Sequence, residues 1–207
     1  MFHTLTMLRQ GGWTMIPLGL CSLFALTIII ERLFVLRRHF VIDPRALRVA
    51  GEYEGETAAT GAITACQRCA GAFAMIVIEV LKSRHLDYEH CVENMRAAGR
   101  AQVARLERGL TTLEIIAGVS PLLGLLGTVL GMIDMFNAIS VAGLGNPQIL
   151  SDGIAKALIT TVSGLVVAIP AVAFHGFFSK RVEELATEMQ DQAMALILRI
   201  QLQRGGK

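Results

Sequence analysis

Ser-Pro-Leu-Leu-Gly-Leu-Leu-Gly-Thr-Val-Leu-Gly-Met-Ile-Asp-Met-Phe, residues 120–136, is long and apolar enough to cross a membrane as a helix. A plain anchor needs neither a mid-span hydroxyl nor a terminal acid, and this stretch has both, Thr128 and Asp134. Gly124, Gly127 and Gly131 recur at spacings of three and four, and Ser120 extends the same face. Small residues at such spacings let helices approach closely in lipid. That face serves packing within one subunit or lines a cavity, and the spacing alone leaves both readings open.

Ile115 to Ile133 carries no charge, nor does Gln10 to Ile30, and Ala157 to Ser179 holds only His175. Each run approaches the roughly 20 residues a spanning helix needs. The first is too long for a signal-peptide core and lacks a small-residue cleavage site before Glu31-Arg32 and Arg37-Arg38. Composition agrees: 53% of the 207 residues are hydrophobic, only 17% are charged, and the mean hydropathy is +0.54. A net charge of +2 gives no reason to expect nucleic acid. Cys66 and Cys69 form a lone CxxC without a second ligand pair, so reduced thiols are expected there, not a metal or redox centre.

Orientation follows from basic residues near the span ends. Arg32, Arg37, Arg38, Arg105, Arg108, Lys180 and Arg181 mark one side, whereas Arg9 is the only such residue on the other. Trp13 suits an interfacial position. The expectation is an all-α membrane protein with three transmembrane helices, two of them extended into a cytoplasmic helical bundle. Residues 1–38 hold the first span with a periplasmic N-terminus, 39–110 a cytoplasmic helical region, and 111–138 the second span. Residues 139–152 form a periplasmic loop, 153–179 the third span, and 180–207 a cytoplasmic C-terminal helix. Within the cytoplasmic region, 43–62 reads as a connecting loop, and Asp87 to Leu110 as a helix running unbroken into span two. The apolar run 73–81 is too short to span. Val182, Leu185, Met189, Leu196 and Ile200 recur with helical period, as on a buried helix face.

In span three, Ser163, Gly164, Ala168 and Ala171 supply a second small-residue face. Pro121 and Pro170 lie inside spans two and three, where they free backbone carbonyls and favour bends. Asp134 lies about 9 Å outward of Thr128, and Lys156 about 7.5 Å outward of Thr161, at 1.5 Å per residue. Because the spans are antiparallel, Thr128 falls level with Thr161, and Asp134 with Lys156. The deeper layer, with Thr160 beside it, has hydroxyls only. They bond their own helix or face a partner, passing protons or holding a carboxyl group. The outer layer is an acid and a base. They pair, within or between subunits, or reach water separately. No carboxylate lies in the middle of any span, so a proton-carrying acid would have to come from another chain.

At these residues the sequence resembles the MotA/TolQ/ExbB family of proton-channel and stator subunits. The resemblance rests on Gly12-Trp-Thr-Met-Ile-Pro-Leu18 with Glu31-Arg32, on Pro121 to Met132, and on Gly153 to Thr161 continued by Gly164 to Pro170. Three spans and about 200 residues resemble its ExbB/TolQ branch. The resemblance implies an inner-membrane homopentamer whose second and third spans surround a dimer of an ExbD/TolR-like single-span partner. Proton motive force would then drive mechanical work on a TonB- or TolA-like periplasmic effector. By motif position, Thr128 and Thr161 match the family's pore threonines. Lys156 stands where the best-known ExbB members have a glutamate, and a lysine is a poor substitute for a carboxylate in proton relay. The alternative is a non-conducting membrane scaffold of the same fold. An enzyme is not expected, because no nucleophile–base set, metal-ligand cluster or phosphate loop is present, and no cofactor is implied. His3, His39, His85, His90 and His175 are scattered. His175 reads as a bundle or interface residue, not a proton relay.

Overall fold

Pro17 sits in the first turn of α1, Met15–Val35, where its missing N–H is no loss. The computed structural model describes residues 13–53, 59–142 and 147–205, and the described residues contain helices and turns but no strand. Arg9, His3, Gly12 and the rest of the expected periplasmic N-terminus lie outside the described residues, as do 54–58, 143–146 and 206–207.

Among the described residues, three helices are long and apolar enough to span a membrane. They are α1, α7 (Leu110–Ala142) and part of α8 (Pro147–Gly205). Between α1 and α7 come α2 (Arg38–Val41), α3 (Pro44–Gly51), α4 (Ala59–Gln67), α5 (Ala72–Lys82) and α6 (Tyr88–Leu106). A 3-10 turn, Ser83–His85, joins α5 to α6.

The expected loop over 43–62 is replaced in the structure by helix at both ends. Asp43 caps α3 by accepting the Arg45 N–H at 2.8 Å, and Pro44 takes the first helical position. The pair Asp-Pro is therefore a helix start, and the glycines that follow it do not outweigh that cap. The helix expected to run from Asp87 through span two is also broken. Gly109 has φ of 81°, which ends the continuity between α6 and α7. Only the third of the spanning helices therefore continues without interruption into a longer helix. On the other side, α7 runs to Ala142 and α8 starts at Pro147, so helix takes up most of the stretch expected as a periplasmic loop.

The chain divides into two units. The first comprises the described part of Met1–Ile30 with Gly109–Gly176, and the second the described parts of Glu31–Arg108 and Phe177–Lys207. In the second, α5 is buried on nearly every side: Phe73, Val77, Val80 and Leu81 are fully enclosed. That explains an apolar run too short for a membrane. The C-terminal half of α8 supplies Phe178, Val182, Leu185, Met189, Leu196 and Ile200 to the same core, with the spacing the sequence implies. Cys66 is buried here, and burial pushes its thiol up to about 11, which keeps it protonated and unreactive.

The first unit is built differently. Many of its large apolar side chains point outward, Leu23, Phe24, Leu122, Val166 and Ile169 all being more than half exposed, while Leu18, Leu113, Ile116 and Met135 are buried. Small residues fill the contacts, including Ala117, Ser120, Ala157, Ala168 and Ala171. Large outside and small inside is the pattern of a bundle solvated by lipid.

Candidate functional site: the α7–α8 pair

The glycine face of α7 lies directly on α8. A Cβ at Gly124 would stand 3.0 Å from the Thr160 carbonyl and 3.1 Å from the Thr161 Cα. One at Gly164 would meet the Ser120 carbonyl at 2.7 Å. At Gly127 it would meet the Thr160 side chain at 2.7 Å and the Thr14 hydroxyl at 2.8 Å. Gly131 is looser, its nearest neighbour being Ala157 Cβ at 3.4 Å. The small-residue spacing thus serves close approach within one chain, and α1 joins at Thr14. Gly153, which the sequence reading quoted only as part of a motif, is as tight as these, since a Cβ there would stand 2.8 Å from Met135 Cβ. Both helices run on through Pro121 and Pro170. These prolines leave the carbonyls of Ala117 and Val166 without their helical donors.

The hydroxyls divide by place. Thr160 is 1% exposed, sits in the helix contact and donates to the Ala157 carbonyl at 2.7 Å. Thr128 is half-buried and donates to the Leu125 carbonyl at 2.5 Å. Thr161, also half-buried, reaches across to the Gly124 carbonyl at 3.4 Å. Each hydroxyl oxygen retains acceptor capacity after donating its proton. Thr128 and Thr161 keep part of their surface accessible, and Thr160 does not.

At one end of the pair, Lys156 Nζ lies 4.0 Å from Asp134 Oδ2 within the same chain. Both are substantially exposed, which limits what the contact contributes.

The sequence profile of the MotA/TolQ/ExbB proton channel family matches residues 68–191, which include all of α7 and the glycine, threonine and lysine positions of α8. The chain belongs to this family. It is 35% identical over 79% of its length to the ExbB-like 1 biopolymer transport protein of Synechocystis sp., and spans 65% of that protein. It is 32% identical over 80% of its length to biopolymer transport protein exbB1 of Vibrio cholerae, and spans 74% of it. The Tol-Pal system protein TolQ of Haemophilus influenzae is 41% identical over 44% of the chain, covering 40% of that relative. Family membership and three apolar helices make it an inner-membrane protein.

The opposite end of this MotA/TolQ/ExbB helix pair holds a second acid–base contact. His175 Nε2 lies 4.0 Å from Glu114 Oε2. Sequence reasoning passed over Glu114 and took His175 alone. The depth arithmetic that paired Asp134 with Lys156 also pairs these two. Glu114 and Asp134 are separated along α7 by about 30 Å, the thickness of a hydrocarbon core. One end therefore carries a carboxylate with an ammonium, and the other a carboxylate with an imidazole.

Proposed function

We propose that the chain is the channel subunit of an inner-membrane motor that converts proton motive force into work. Its N-terminus is periplasmic and its C-terminus cytoplasmic, as the basic residues indicate. Five copies surround a dimer of an ExbD/TolR-like single-span partner, and the complex acts on a TonB- or TolA-like periplasmic effector. It is a transport subunit and not an enzyme. One observation carries this reading. The α7–α8 pair presents partly accessible mid-span hydroxyls, Thr128 and Thr161, while the spans between Glu114 and Asp134 and between Lys156 and His175 contain no carboxylate. Groups that accept and donate a proton but cannot store one need a partner's acid.

The test is Thr128→Val with Thr161→Val, co-expressed with a partner and reconstituted in liposomes under a proton gradient. Assembly should stay normal, because valine matches threonine in shape. Proton flux should fall by about tenfold or more, as when a positioned proton-transfer group is lost. Full flux would sink the reading. Lys156 favours a second one, a non-conducting scaffold, because an ammonium stands where proton relay would call for a carboxylate. A wild-type complex that assembles with its partner yet passes no protons would establish it.

A further inference from the structure

A groove of about 390 Å³ opens in the second unit beside the last turn of α1. Phe34, Val35 and Phe40 form an apolar wall, each well exposed. At the other side α5 begins. Its N-cap is Gly71, and no side chain caps it. The first N–H groups of a helix have no intrahelical acceptor and carry the positive end of its dipole. Glycine keeps that end bare. With φ of 106°, a Cβ at residue 71 would lie 2.6 Å from the Val41 carbonyl and 2.7 Å from that of Phe40.

A second observation points to a ligand at the same place. Gln102 lines the groove, is only 7% exposed, and its amide makes no hydrogen bond to any described residue. The rest of the side chain is packed away, so the amide's free donors and acceptor are offered to whatever enters the groove. Arg105 lines the groove as well, and Arg37, outside the lining, stacks over the Phe34 ring at 5.1 Å. No carboxylate is among the lining residues. The negative end of α6 is already covered, since Arg32 Nη1 donates to the Leu106 carbonyl at 3.0 Å. The side-chain charge lining the groove, Arg105, and the exposed start of α5 favour an anion, against which the Phe40 and Val41 carbonyls beside Gly71 are the opposing dipoles.

The anion is identified by what adjoins it. Phe34 and Val35 end the first span, so the mouth lies where hydrocarbon gives way to headgroups. We propose that this groove binds the headgroup phosphate of an anionic phospholipid, at the α5 N-terminus, Gln102 and Arg105, with an acyl chain laid along Phe34, Val35 and Phe40. A free phosphate would leave the apolar wall unused. Basic pockets beside spans on this face of a membrane suit such headgroups. The site is independent of proton conduction and stands if the channel reading fails.

The full-length protein is released from nanodiscs of equal phosphatidylglycerol and phosphatidylcholine content, and retained lipid is read by native mass spectrometry. Phosphatidylglycerol should exceed phosphatidylcholine by about fivefold, the effect of one guanidinium at an anionic surface. Arg105→Gln should remove most of that preference. Gln102→Leu, which keeps the packing volume, should lower total phosphatidylglycerol retention. Arg100→Gln, an exposed change on the same helix outside this groove, should leave both unchanged. Circular dichroism checks that each variant is folded. Equal retention of the two lipids by the wild type would overturn the proposal. So would undiminished phosphatidylglycerol on folded Arg105→Gln and Gln102→Leu, or displacement of the lipid by millimolar inorganic phosphate.

Discussion

The two units solve opposite problems with the same secondary structure. In the second, α5 and the end of α8 hide large side chains, Phe73, Phe178 and Leu196, from water. In the first, Phe24, Leu122 and Ile169 face outward, and the closest contacts between α7 and α8 are made at glycine, alanine, serine and threonine, with a few larger side chains such as Leu113 and Met135 also buried. Hiding apolar area drives folding in water, but lipid offers little gain for it. What distinguishes one arrangement from another in lipid is how closely backbones approach. The second unit should therefore be sensitive to losing volume, and the first to gaining it.

The largest expected effect tests that directly. Phe73 is fully enclosed, so Phe73→Ala should cost roughly 3–5 kcal/mol and unfold or proteolytically expose the second unit. Phe24→Ala, the same change on an outward face of α1, should cost under about 1 kcal/mol, because lipid refills the space. Chemical unfolding in micelles, followed by circular dichroism, compares them. Similar losses at the two sites would remove the distinction.

The reverse experiment adds volume to the first unit. Gly164→Ala drives a methyl to 2.7 Å from the Ser120 backbone oxygen, which cannot swing aside, and should cost about 1–3 kcal/mol. Gly131→Ala meets only a van der Waals contact at 3.4 Å and gains up to about 1 kcal/mol of helix propensity, so it should be neutral or stabilising. A Gly131→Ala as harmful as Gly164→Ala would mean that the spacing of glycines, and not the depth of each contact, governs the pair.

How far the sequence could be read follows from the same physics. The spans and the buried face of α8 were legible because each writes a long periodic pattern. The depth pairing of Asp134 with Lys156 was legible because antiparallel helices convert residue number into height. The break at Gly109 was not, since one positive φ decides it and the flanking residues favour helix on both sides. Helix α3 was hidden because its cap, Asp43-Pro44, is two residues that serve turns equally well. Thr160 and Thr161 are neighbours in sequence, and only the packing of Gly127 on Thr160 shows which of the two is enclosed. Glu114 needed no structure, only the arithmetic carried to the other end of the spans.

The smallest effect concerns one ion pair in each unit. In the second unit, the Arg38 guanidinium meets Glu188 with both carboxylate oxygens 3.0 Å from Nε, and a further contact runs from Nη2. That hydrogen-bonded geometry holds the Glu188 carboxyl below its usual range. A depressed carboxylate contributes stability that is fully present above the ordinary glutamate range and fades as pH falls through its lowered value. Wild type should therefore lose more stability than Glu188→Gln between neutral pH and strong acid, while the two respond alike from neutrality to mild alkali. In the first unit, Asp134 and Lys156 touch at 4.0 Å without a hydrogen bond, and their double-mutant coupling should stay below about 1 kcal/mol. If Asp134→Asn and Lys156→Gln instead show strong coupling, that end of the helix pair is less accessible in the assembled protein than in the single chain. Lipid or a neighbouring subunit would then be the agent, since a low-dielectric cover strengthens an ion pair that water would otherwise screen.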